Sequence, residues 1–253
     1  MHSLTHKLAG ALARPVALLT PFSLALVAVA SIATPAMAQD DATPAAATTP
    51  GVLTTPAAEI NCNTEGDDVS EVVSQIATIY EIASEDSTAR YRAQEELAGK
   101  GANEAVGETN AIIGQLLFDA NGTPLQCSRF DVDLRTLVSD ESRRDNFLYD
   151  NTLETGTYPL ATFVLTSVEG LDGALVDGEG MTFTLIGNLT VHGVTRLVAW
   201  EATATKDGDT IEGSAKTSFE MPDFNIEQPI VGPVISVDET IALEVDLTAN
   251  QAG

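Results

Sequence analysis

The sequence predicts an all-β, antiparallel domain with one short helical insert. Three observations carry this. After residue 77 most of the chain alternates apolar and polar residues with a period of two, the signature of half-buried strands. Turn-forming pairs rich in Gly, Asp and Asn punctuate the alternating runs. A single segment, "DESRRDNFLYD" at 140–150, reads as helix, with Asp140 as its N-cap. Closing such a sheet into a barrel removes its exposed edges, so a barrel is preferred to its main competitor, a two-sheet sandwich.

The N-terminal stretch stands apart. "MHSLTHKLAGALARP" carries Lys7 and Arg14, an apolar run follows from Val16 to Ile32, and Ala36 and Ala38 stand in A-x-A spacing. This is the layout of a secretory signal peptide over 1–38, with cleavage after Ala38; an uncleaved membrane anchor is the rival reading. The expected location is therefore outside the cytoplasm, periplasmic or extracellular. Residues 39–76 read as an acidic, Ala/Thr/Pro-rich linker and pre-domain segment, solvated over 39–58. Within "DDVSEVVSQIATIYEI" a short helix capped by Asp68 or Ser70 competes with an early strand. The folded domain is expected over 77–253.

Along that domain the inward faces follow from the alternation. "RFDVDL" turns Phe130, Val132 and Leu134 one way. "MTFTLIGNLTV" does the same with Phe183, Leu185, Leu189 and Val191, and "VAWEATA" with Val198, Trp200, Ala202 and Ala204. "TIEGSAKTSFE" aligns Ile211, Gly213, Ala215, Thr217 and Phe219, and "TIALEVDLTA" aligns Ile241, Leu243, Val245 and Leu247. Turns are expected at "DANG", "LDGALVDGEG", "HG" and "KDGD". Among these inward residues Ala93, Gly114, Gly187, Ala202, Ala204, Gly213 and Ala215 are small. Either they leave an apolar cavity, as a barrel of about eight strands permits, or they mark corners and close sheet packing.

Composition excludes several functions. The net charge of −25 becomes two units more negative without the leader, whose charged residues are both basic. Nucleic acid is excluded as a partner, because such binding rests on Lys and Arg neutralising phosphates. Cys62 and Cys127 are the only cysteines, and export favours a disulfide between them over two free thiols. No metal site is expected from two cysteines and one histidine in the domain. "GKGANEAVG" lacks the order of a phosphate-binding loop, and "DANGT" and "KDGDT" lack the full calcium loop. His192 has no evident acid–base partner, and its pairing with Gly193 suits a tight turn.

The order of motifs resembles the YceI-like family of exported, polyisoprenoid-binding proteins, over residues 78–249. The resemblance runs through "YEIASEDSTARYRAQEELAGKG", "AVGETNAIIGQLLFD" and "FDVDLRTLVSDESRRDNFL", where Arg144 and Asp145 match an Arg-Asp pair. It continues through "YPLATFVLTSV", "GNLTVHGVTR", "FEMPDFNI" and "VDETIALEVDLTA". Leu197, Phe147 and Asn225 depart from the family's frequent proline, histidine and glycine. The resemblance implies a lipocalin-like extended β-barrel that holds a long isoprenoid, quinone-like or similar amphiphilic lipid, with transient membrane contact, no cofactor and no enzyme activity. The expected apolar lining is Phe130, Phe163, Leu165, Phe183, Leu185, Trp200, Phe219 and Leu243. Headgroup contacts are expected from Arg144, Tyr158, His192 and Arg196. The alternative is a ligandless structural or interaction module with a filled core.

Overall fold

The structure is a computed structural model that describes residues 48–63 and 71–253. The expected signal peptide, the first part of the linker, and Asp68 and Ser70 lie outside the described residues.

The domain is an antiparallel barrel that follows the chain. Its first wall is β2 (Thr78–Ile82) continued by β3 (Thr88–Leu97), and its second is β4 (Gly101–Thr109) continued by β5 (Ile112–Phe118). The third is β6 (Arg129–Asp133), running on to the short β7 (Val138–Ser139). After a helical excursion come β8 (Leu160–Glu169), β9 (Gly180–Val191), β10 (Val194–Asp207), β11 (Thr210–Glu220) and β12 (Val234–Gln251). Each wall pairs with its neighbour in sequence, and β12 closes the ring on β2 and β3. This meander leaves no free edge around the closed ring. Sequential pairing is what short Gly- and Asp-rich turns dictate: His192 and Gly193 both take the left-handed backbone that a two-residue hairpin needs.

The first three walls are each broken once, at Ser84–Asp86, Asn110–Ala111 and Leu134–Thr136. Side chains stitch the breaks together. The fully buried Ser87 donates to the Ala83 carbonyl at 2.8 Å and accepts from the Thr248 amide at 3.0 Å. The Thr109 and Thr136 hydroxyls meet at 2.6 Å, and the Asp133 amide donates to the Ala111 carbonyl at 3.0 Å. These bonds replace the ladder where pairing lapses, as buried backbone requires. Beyond the breaks, β3, β4 and β7 form a separate stretch of wall.

The helix is shorter than its sequence suggests. α1 spans Ser142–Phe147, and the chain continues through one wide turn over Leu148–Thr152. Its cap is Glu141, whose carboxylate accepts from the Arg143 amide, rather than Asp140. Asp140 pairs with Arg144 at 2.6 Å instead.

The Ala/Thr/Pro segment read as a solvated linker is pinned to the barrel. Gly51–Val52 forms β1 against β10, the Leu53 amide donates to Leu197, and Asn188 exchanges two hydrogen bonds with the Ala58 backbone. Leu53 and Ala58 cover Ile186, Leu197 and Ala199 on the outer face of the sheet. The segment ends at Cys62, which is joined to Cys127 in the β5–β6 loop. "RLVAW" carries the reason: four consecutive apolar residues, Leu197–Trp200, describe a strand covered on both faces.

Candidate functional site

The inward alternation of β3 places Tyr91, Ala93, Glu95 and Leu97 along one side of the lumen. Ala105 of β4 is buried with them, and Leu134 and Leu137 come from the turn before β7. Phe219 and Leu243 face them from β11 and β12. Together with α1 and the loop that contains Ile226 and Val231, these residues enclose a cavity of about 460 Å³. That volume falls within the roughly 300–1,000 Å³ of small-molecule sites.

A second, smaller cavity of about 110 Å³ lies toward the other end of the barrel. Phe130, Phe163, Leu165, Phe183 and Leu185 line it, with Ala202, Ala204, Gly213 and Ala215 opposite. Its lining is almost wholly apolar. The two cavities share no residue. Between them, in strand order, lie Leu189 of β9, Val198 and Trp200 of β10 and Thr217 of β11, all buried. Trp200 packs edge-on against Phe163 at 5.8 Å and Phe130 at 6.4 Å, a geometry aromatic rings favour. Its indole N–H has no hydrogen-bond acceptor among the described residues.

The small residues thus serve both purposes that their positions allowed. A Cβ on Gly187 would stand 2.5 Å from the Phe163 ring, and one on Gly114 2.1 Å from the Arg129 carbonyl, so these two permit close packing. Ala93, Ala202, Ala204, Gly213 and Ala215 instead border open volume.

The larger cavity has a polar end. Arg144 of α1 reaches in and bonds Glu95 at 2.8 Å, while Asn103 donates to the same carboxylate at 2.8 Å. Burial works against the Arg144 charge, but the hydrogen bond to Asp140 and the field of Glu95 outweigh it and hold the guanidinium protonated. Asp145 is buried behind this pair and accepts from the Ser139 amide and hydroxyl. Lys100, Asp140, Glu141 and Arg143 complete the exposed rim.

Of the residues expected to meet a headgroup, only Arg144 lines either of these two cavities. Tyr158 packs edge-on against His192 at 4.9 Å, and the His192 Nδ1 meets the Phe224 carbonyl at 3.2 Å. Arg196 turns a guanidinium N–H toward the Thr195 carbonyl at 3.4 Å. The β9–β10 hairpin therefore uses His192 as a turn residue packed on its neighbours. Tyr91 and Glu95 were not expected in the site. Their signal is in "RYRAQEEL": strict alternation carries a glutamate on the apolar face, and a buried carboxylate needs a partner. Among the described residues no cluster of His, Cys, Asp and Glu could hold a metal ion.

Comparison with known proteins agrees with this architecture. A family model described as the YceI-like domain matches residues 80–249. A Shewanella oneidensis protein designated UPF0312 is 32% identical over 143 residues, covering 54% of this chain and 71% of the relative. Protein YceI of Escherichia coli O157:H7 is 30% identical over 138 residues, covering 52% and 68%. Among solved structures, a polyisoprenoid binding domain from Saccharophagus degradans superposes with a TM-score of 0.54 at 15% identity, covering 70% of this chain and all of that one. Burkholderia cenocepacia BcnA gives 0.54 at 16% identity, covering 67% and 99%. At such identities the two structures speak for the fold.

Proposed function

The chain belongs to the YceI-like domain family, and from that premise we propose that it is an exported binding protein that carries a long-chain isoprenoid or similar amphiphilic lipid. The observation that carries this reading is the roughly 460 Å³ cavity, apolar along its length and polar at one end. The polyisoprenoid-binding activity of the Saccharophagus domain, which shares the fold, supports the same class of ligand. Both comparisons suggest binding rather than catalysis.

Energetics suit a carrier. A tail of about 40 carbons leaving water gains roughly 30 kcal/mol at ~0.8 kcal/mol per methylene. Usable affinities end near about −20 kcal/mol, so such a lipid is never free in water. The barrel competes with a bilayer, and a near-balance between them is what permits loading and release. A filled-core module describes the Trp200 layer well, but it does not describe the cavities on either side.

Extraction of the protein, purified from its native host, with organic solvent followed by mass spectrometry tests the proposal. A lipid near one equivalent per chain is expected. Protein that carries none, and whose single tryptophan fluorescence ignores added prenyl lipids, would make it a structural module.

A further inference from the structure

One polar atom in the larger cavity is left without a partner. The Tyr91 hydroxyl is buried and hydrogen-bonds to nothing among the described residues. It lies in the field of Arg144, Asp145 and Glu95, yet each of these is committed elsewhere. Arg144 holds Glu95, Asp140 and Ser139. Asn103 donates to the same Glu95 Oε1 that Arg144 holds, and Asp145 is taken by Ser139. The Tyr91 ring lies across Gly107, where a Cβ would stand 2.2 Å from the ring edge, so the glycine exists in the space the ring needs. Burial pushes the Tyr91 ionisation upward, so the group remains a neutral O–H donor. Buried donors are rarely left unpaired, and an exception calls for an absent partner.

The charge on the cavity lining is balanced, and Asp145 behind it adds one further carboxylate to the field at Tyr91. The lining holds three carboxylates, Glu95, Asp140 and Glu141, against Lys100, Arg143 and Arg144. A diphosphate seated at the Tyr91 hydroxyl, rather than out at Lys100 and Arg143 on the rim, would draw on Arg144 and weaken its hold on the buried Glu95. It would also sit beside Asp145. An uncharged acceptor asks for neither, and it supplies what Tyr91 lacks.

We propose that the Tyr91 hydroxyl donates the hydrogen bond that seats the ligand's head, and that this head is an uncharged acceptor rather than a phosphate. The tail then runs from the α1 end toward the Trp200 layer. This rests on the carrier reading above.

Three probes with one geranylgeranyl tail test it: the plain hydrocarbon, the benzoquinone and the diphosphate. Affinities are read by displacement of a fluorescent prenyl probe from wild type and from Tyr91→Phe, which deletes only an oxygen bonded to nothing. The variant is expected to melt no lower than wild type. It should lose about tenfold in benzoquinone affinity and nothing for the hydrocarbon. In wild type the diphosphate should bind more weakly than the benzoquinone. Equal benzoquinone affinity in both proteins, or a diphosphate that binds more tightly, overturns the assignment while leaving the carrier intact. If no probe displaces the reporter, the carrier reading itself falls, and the assignment falls with it.

Discussion

Gly187 shows how one missing methyl group shapes the lumen. The Phe163 ring passes over it so closely that an added Cβ would stand 2.5 Å from both the ring and the Val164 carbonyl. Backbone cannot yield as a side chain can, so Gly187→Ala forces the β8–β9 pairing apart or drives Phe163 off its rotamer. Overpacking of this kind costs about 1–3 kcal/mol. Urea unfolding should show the variant less stable by about 2 kcal/mol. Gly213 is the control: a Cβ there meets the Thr203 carbonyl at 3.1 Å and otherwise faces the smaller cavity, so Gly213→Ala should cost less. Both glycines stand in the same inward row of the alternation, and the row alone does not say which one has a ring above it. His192 teaches the converse. As the only histidine after the leader it draws attention, yet its Nδ1 meets the Phe224 carbonyl and its ring packs on Tyr158 in the turn.

The N-terminal segment has too few contacts to hold itself at the scale of one element. Residues 51–58 contribute one two-residue strand, a pair of hydrogen bonds with Asn188 and a small apolar patch. The Cys62–Cys127 link, which spans 65 residues of sequence, fixes its far end. Chain-entropy arguments give a closed loop of that length roughly 4 kcal/mol of stabilisation, less where the unfolded chain keeps structure. Cys127→Ser should therefore lower stability by a few kcal/mol. Hydrogen exchange should then quicken first at Leu53 and Ala58, whose amides depend on the docking. If exchange there is unchanged, β1 and Asn188 hold the segment without the link. Strand identity in this part of the chain was hidden from periodicity. A two-residue strand has no period, and its Pro-rich flanks look like linker; only the doubly apolar "RLVAW" of its partner betrays it.

Across the whole molecule, the walls were legible because each pairs with its neighbour in sequence, so local alternation and turn chemistry suffice. The breaks in the first three walls were not, since the apolar rhythm resumes on both sides and the interruption is written in single polar residues such as Ser87 and Thr109. The inward apolar faces were legible for the same reason as the walls, but not which cavity they border: Phe219 and Leu243 line the larger, Phe130, Phe163, Leu165, Phe183 and Leu185 the smaller, and Trp200 neither. The polar end was not, because Arg144 and Glu95 stand 49 residues apart and meet only when α1 folds back over β3. Charge is the other property that belongs to the molecule as a whole. Arg90 and Arg92 of β3 each sit between a carboxylate of β4 and one of β12, four ion pairs on one outer face. Pairs this exposed contribute about 0–1 kcal/mol each. Against them stands the mutual repulsion of a net charge of −25, spread over a surface that folding compacts. Salt screens both, but the repulsion sums over many more pairs and extends to separations near the Debye length, about 10 Å at 0.1 M. Raising sodium chloride from about 0.05 M to about 0.5 M, which shortens the screening length roughly threefold, should therefore raise the melting temperature by several degrees. A fall would mean that the arginine ladder of β3 outweighs the self-repulsion, and Arg90→Gln with Arg92→Gln should then turn the fall into a rise.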